Sequence, residues 1–286
     1  MENYLFKEEK VKELLEKIKA ELAKKEKTLQ KAFSLDEKEW EYKVDLGKIL
    51  EAIDTVKNEK YLPKFTKEEI VDGLGDIILV VKNQNPYLIF EFVLYSIYTN
   101  NKVTAILENK LLASNKVLLE LIRNVLKENK YDENIVSFKE LKSTFDIIDI
   151  QNDYDLLYYF GNKEEYLSFI KRIHIDSIFE NYGEIDVYVD SNDFKDELLK
   201  IDKFAYINEI KVNYYNSSLE EAEKIMNNKN NINKISVIFT KDINNAYKFV
   251  KNIKSENVYI NVNPITNFLF DINQNNLVYS KKIIMK

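Results

Sequence analysis

The chain has 286 residues, 45% of them hydrophobic, and its 48 acidic and 42 basic residues give a net charge of −6. With no cysteine and one histidine, His174, it lacks the ligands for a disulfide framework, a thiolate zinc or iron–sulfur centre and a multi-histidine metal site, and it has no cysteine nucleophile. Interspersed charge without a basic stripe speaks against nucleic acid, and no segment reads as a leader or as an apolar run able to cross about 30 Å of bilayer, so a cytoplasmic protein with no membrane partner is expected.

Residues 5–31 read as one amphipathic helix with Val11, Leu15, Ile18, Leu22 and Leu29 along its seam. Glu8–Lys12, Glu13–Lys17 and Glu21–Lys25 form pairs at i,i+4. The seam predicts packing on its own domain, with a dimerisation helix as the alternative. A second helix is expected over 45–58, and Pro63 ends this unit.

From Gly75 the period changes. Asp76-Ile-Ile-Leu-Val-Val81 is a continuous apolar run, as in a strand buried on both faces. Asn85-Pro86 is an N-cap followed by proline at the first helical position, opening a helix to Tyr98. Strands are predicted at 103–107, 135–138, 145–150 and 155–160, with a helix over 114–128 capped by Ser114. After Gly161 the alternation continues: helix 163–172, strand 185–189, helix 193–204, strand 209–214, helix 219–228, strand 235–240, helix 243–253 and strand 257–262. Residues 277–285 read as a lone β-rich tail.

Such alternation implies an α/β fold with parallel sheets in two Rossmann-like lobes behind an N-terminal helical segment. The expected divisions are an N-terminal segment 1–66, a first lobe 67–178, a second lobe 179–263 and a tail strand 264–286.

Four segments carry a family resemblance. They are Gly75-Asp-Ile-Ile-Leu-Val-Val with Asn85-Pro86; Asn100-Asn101-Lys-Val-Thr-Ala-Ile-Leu107 with Ser114-Asn115-Lys116; Asp155 through Gly161 to Ile185-Asp-Val-Tyr-Val-Asp190; and Ser218-Leu-Glu-Glu-Ala222 with Ser236-Val-Ile-Phe-Thr240, Ala246 and Val258-Tyr-Ile-Asn261. In this order they resemble the aldehyde dehydrogenase superfamily, most of all its glutamyl phosphate reductase branch, over roughly residues 70 to 265. The resemblance implies a cofactor lobe for NAD(P), a catalytic lobe, and an activity in which a cysteine thiolate attacks a carbonyl before hydride passes to or from nicotinamide. It also implies assembly by sheet extension between subunits.

Several positions depart from that pattern. The loop that would hold the nucleophile reads Phe204-Ala-Tyr-Ile-Asn208, so Tyr206 and Asn208 are the nearest candidates, and a phenol of pKa about 10 is a poor nucleophile unless activated. Glu180, in Glu180-Asn-Tyr-Gly183, stands where dehydrogenase members carry a glutamate. On the cofactor side the candidates are Asn85, Lys110, Gly161 and Asn162; Glu108 beside Lys110 would repel a pyrophosphate. After Asn261 the branch's arginine and glycine-rich loop are missing, and the stretch between the Glu209 strand and the Leu219 helix is shorter than in the family.

The other constellations read as structural. His174 lies between a helix and a strand, and Asp190, Asn192 and Asp193 read as capping residues rather than cation ligands. Tyr154, Tyr158, Tyr159 and Phe160 read as core and sheet surface, and Tyr214-Tyr215 ends a strand.

Three readings of function follow. The first is a degenerate superfamily member without thiol-dependent redox activity, with a binding or oligomer-forming role. The second is an NAD(P)-dependent oxidoreductase acting on an aldehyde or acyl phosphate without a cysteine intermediate. The third is a structural subunit that pairs with an active homologue. A homo-oligomer or such a pair is the expected assembly; the residues themselves name no cofactor and no metal.

Overall fold

The structure is a computed structural model that describes residues 8–40, 44–60, 63–65, 69–82, 85–108, 113–181, 183–207, 210–228, 233–262, 264, 272 and 274–282. The chain forms two compact units, one of residues 1–180 and 269–286 and the other of residues 181–268.

The first unit begins with three helices, α1 (Glu8–Lys24), α2 (Glu26–Trp40) and α3 (Leu46–Asn58). The helix predicted over 5–31 is therefore broken at Lys25, which forms the turn between α1 and α2. The Glu8–Lys12 and Glu13–Lys17 pairs form, whereas Glu21 takes Lys24 instead of Lys25. Val11, Leu14, Leu15, Ile18 and Leu22 are each at most 1% exposed, so the seam of α1 is spent inside its own unit. Each such side chain contributes about 1.5–3 kcal/mol by leaving water, which ties the helices to the lobe they cover.

A parallel sheet follows, built from β3 (Asp76–Val81), β4 (Lys102–Glu108), β5 (Val136–Leu141), β6 (Leu156–Phe160) and β7 (Asp176–Glu180) in the order β5-β4-β3-β6-β7. Between these strands run α4 (Pro86–Tyr98), α5 (Ala113–Glu128), α6 (Ile147–Ile150) and α7 (Lys163–Phe169). Helix α4 is apolar all round and buried along nearly its whole length, as expected of a helix enclosed by neighbours; α1, α3 and α5 pack against it. On the other face Ile78, Val80, Leu157, Tyr159 and Phe169 form a core cluster, joined by Tyr166 and Phe179.

Three expectations in this unit are corrected. Residues 145–150 are helical turns, not a strand, because Ser143 and Asp146 cap each other reciprocally and start a helix at Thr144. Strand β7 is an edge strand that the sequence reading left out. The tail is not alone: β12 (Val278–Lys282) pairs antiparallel with β2 (Glu69–Gly73), which also pairs with β1 (Lys64–Phe65), giving the order β1-β2-β12. Its backbone found a partner strand near the start of the lobe, a pairing that no local pattern encodes.

The second unit holds β8 (Glu184–Val189), β9 (Lys211–Tyr215), β10 (Asn233–Phe239) and β11 (Ser255–Ile260), all parallel, in the order β11-β10-β8-β9. They alternate with α8 (Lys195–Ile207), α9 (Leu219–Asn227) and α10 (Ile243–Asn252). Tyr188, Leu219, Ala222, Met226, Ile238 and Phe249 form the core under α9 and α10. Among the described residues no helix is long and apolar enough to cross a membrane.

Candidate functional site

In an open parallel sheet, ligands settle beyond the carboxyl ends of the strands where the winding reverses. In the first unit that point lies between β3 and β6, since the chain runs from β3 to β4 and β5 on one side and then to β6 and β7 on the other. Three of the predicted cofactor residues, Asn85, Gly161 and Asn162, lie in segments that follow these two strands.

Side chains of the protein itself meet beside this point. Lys82 follows β3 directly, and its backbone N–H donates to the Phe160 carbonyl at 3.1 Å. Its ammonium donates to Thr144 Oγ1 at 3.0 Å and lies 2.8 Å from Glu165 Oε1, while the Thr144 hydroxyl donates to the same carboxylate at 3.0 Å. Thr144 is buried, and the Lys82 and Glu165 side chains are partly shielded, so this trio forms a plug of limited solvation. Gly161 lies against the stem of Lys82: a Cβ there would fall 2.6 Å from Lys82 Cγ. Its glycine is thus explained by the close approach of a lysine side chain.

The helix starts around this edge are also taken. Asn85 Oδ1 accepts from the N–H groups of Tyr87 and Leu88 at 3.0 and 3.3 Å. Asn162 Oδ1 accepts from Glu164 and Glu165 at 2.7 and 3.2 Å. The start of α5 is filled by Asp36 of α2, which accepts from the N–H groups of Ala113 and Ser114 at 2.9 and 2.8 Å and from the Ser114 hydroxyl. Ser114, expected as the cap, is the second residue of the helix and itself donates to this carboxylate. A pyrophosphate binds a helix start through free N–H donors and positive potential. Here the described donors are capped and Glu164, Glu165 and Asp36 add negative charge, so the described residues do not fit a dinucleotide pyrophosphate.

Glu180, the last residue of β7, accepts a hydrogen bond from the Tyr158 hydroxyl at 2.5 Å. Burial first, and then the Glu180 carboxylate, hold that hydroxyl far above its ordinary pKa, so it remains a donor. Glu180 belongs to the first unit and Tyr206 to the second. Tyr206 lies in the last turn of α8, which runs on to Ile207, so the expected loop from Phe204 is helical for most of its length. Asn208 and Lys110 lie outside the described residues.

The remaining readings fall as follows. His174 is exposed, and its backbone N–H donates to Gln151 Oε1 at 2.6 Å. Asp190 accepts from the Thr240 hydroxyl, and Asp193 pairs with Lys241 at 2.5 Å and accepts from Ser191. The turn before α8 is capped by Ser191 rather than by those carboxylates. Tyr214 is partly exposed and donates to Asp202 at 2.5 Å, while the Tyr215 hydroxyl donates to the buried Asp186 at 3.2 Å. Lys82, Thr144 and Glu165 escaped the sequence reading. The one available signal was Lys82 at the end of the first strand, and it gains meaning only when the strand order is known.

Neither a family model nor a curated protein matches this sequence. Solved structures do. The gamma-glutamyl phosphate reductase of Thermotoga maritima aligns over 90% of this chain and 84% of its own, at 16% identity and a TM-score of 0.55. Aldehyde dehydrogenase 21 of Physcomitrella patens, solved with the product succinate, aligns over 96% and 85%, at 12% identity and a TM-score of 0.64. The glyceraldehyde-3-phosphate dehydrogenase of Methanocaldococcus jannaschii, solved with NADP, aligns over 98% and 90%, at 13% identity and a TM-score of 0.68. This chain has the fold shared by gamma-glutamyl phosphate reductases and aldehyde dehydrogenases.

Proposed function

We propose that this protein uses the aldehyde-dehydrogenase fold without thiol-dependent redox chemistry, in a binding or assembly role. The observation that carries the proposal is the Lys82–Thr144–Glu165 plug at the switch point of a chain that has no cysteine. A hydride-transfer enzyme of this fold needs room for a dinucleotide and a group to hold the carbonyl. Removing a covalent nucleophile costs on the order of 10⁶ in turnover in a well-studied protease, and no described side chain here stands in for one.

The assembly part is supported by β12. Among the described residues it ends the strand order β1-β2-β12, and the end of a sheet is where a second chain can add a strand. The partner in this reading is a second copy or a homologue, and the setting is the cytoplasm.

Purified protein titrated with NADH and NADPH to millimolar concentration is expected to show no shift in melting temperature. It is also expected to show no turnover of a semialdehyde or an acyl phosphate. Turnover of either substrate with a nicotinamide overturns the reading in favour of an enzyme that works without a cysteine intermediate. Light scattering across a hundredfold range of concentration tests assembly, and a monomer throughout removes that part.

A further inference from the structure

The chain leaves the first unit after Glu180 and re-enters it at Leu269. Residues beside both passages meet at one hydroxyl. Tyr158 projects from β6 with its ring edge-on to Phe92, centroids 4.6 Å apart. Its O–H donates to Glu180 Oε1 at 2.5 Å, and the Asn276 side chain donates to its oxygen. Glu180 is the last residue before the outgoing passage. Asn276 sits in the short turn Gln274–Leu277 that leads from the returning passage into β12. Just beyond Glu180, Gly183 adopts a left-handed backbone with φ +73°, and its N–H bonds to Asn181 Oδ1 at 3.0 Å. A glycine in that region lets the chain change direction at low cost.

We propose that Tyr158 is a latch within the first unit, tying the strand end at Glu180, where the chain leaves that unit, to the turn at Asn276, where it has returned, through a single hydroxyl. A hydrogen bond to a carboxylate is worth more than one between neutral groups, so the bond to Glu180 is the stronger half. The returning segment has a second tether that does not involve Tyr158: Asn101 Nδ2 donates to the Leu277 carbonyl at 2.8 Å. Glu180 likewise stays in β7, where its carbonyl accepts from the Gly161 N–H at 3.0 Å, so loss of the latch loosens the residues next to each end, 181–183 and 274–276, while β7 and β12 stay docked. Nothing in this inference depends on whether the protein turns over a substrate.

Hydrogen exchange on the full chain tests it. Tyr158→Phe keeps the ring packed on Phe92 and removes only the hydroxyl. Exchange is expected to rise about tenfold or more at residues 181–183 and at residues 274–276 together, with β3, β4 and β12 unchanged. Asn276→Ala, a change at a half-buried turn, is expected to raise exchange at residues 181–183 although it is remote in sequence. Adding it to Tyr158→Phe should change little more. A rise at one passage alone, a rise at neither, or no effect of Asn276→Ala on residues 181–183 overturns the proposal. If Tyr158→Phe loosens the whole core, Asn276→Ala alone decides the question by the same criterion.

Discussion

The Lys82 ammonium and the Glu165 carboxylate stand 2.8 Å apart, joining the end of the central strand β3 to the first turn of α7 across the point where the sheet reverses its winding. Their side chains are 20% and 28% exposed, so the pair is shielded enough to matter and solvated enough to form without a severe desolvation cost. Glu165→Gln is expected to lower stability by about 1–2 kcal/mol, as it replaces the carboxylate facing the ammonium by a neutral amide. Lys82→Met should cost a similar amount, and the double variant less than the sum. Urea titrations of the four proteins give the coupling, and a coupling below about 0.3 kcal/mol would show that the pair does not hold the crevice shut.

Gly161→Ala tests the packing of the same plug. The added methyl falls 2.6 Å from Lys82 Cγ, and the lysine stem, being flexible, has to move. A loss of about 1–2 kcal/mol is expected, smaller in the Lys82→Ala background where the obstacle is gone. An equal loss in both backgrounds would locate the strain in the backbone instead.

Asp36 takes three donors at the start of α5 and is 5% exposed, which makes it a cap supplied from another helix. Asp36→Ala leaves those donors without an acceptor and is expected to cost about 2–3 kcal/mol; Asp36→Asn, which keeps one oxygen, about half of that. Thermal melts read the difference, and a change within 0.5 kcal/mol for the alanine variant would mean that water replaces the carboxylate without loss.

Asp76 gives a pH signature. Desolvation raises its carboxyl above the usual range, Lys102 pulls it down, and the nearby Asp155 carboxylate pushes it up further. The folded state therefore binds this proton more readily than the unfolded chain. Its contribution is most favourable below the ordinary aspartate value of about 3.9 and is lost as pH rises through the raised folded value. Because the side chain is 42% exposed, solvent screening limits the effect to a few tenths of a kcal/mol. Asp76→Asn should be slightly more stable than the parent at pH 7 and should lose that advantage in acid. Parallel stability curves for the two proteins would contradict the assignment.

Most elements were legible because their signals are short-range. Asn85 caps α4 where Asn85-Pro86 predicts it, and the run 77–81 is buried on both faces as a continuous apolar strand should be. Residues 145–150 misled because their apolar composition outweighed the Ser143–Asp146 capping box, a competing signal of the same range. The site was less legible. Asn85 and Asn162 follow β3 and β6 and cap their own helices, and Glu180 accepts from Tyr158, a partner that the sequence reading did not name.

The amino-acid sequence by itself determined the order of strands and helices, the parallel α/β class, the resemblance of the ordered words to dehydrogenases, and the missing sulfur. Each of these is written in composition or in periods of a few residues. Tertiary structure alone decided that β12 closes on β2, that Asp36 reaches across to Ala113 and Ser114, and that Lys82 meets Glu165. Those contacts join residues far apart in the chain. Their geometry depends on strand order and register, which emerge when whole faces are buried together, so no local stretch of the chain specifies them.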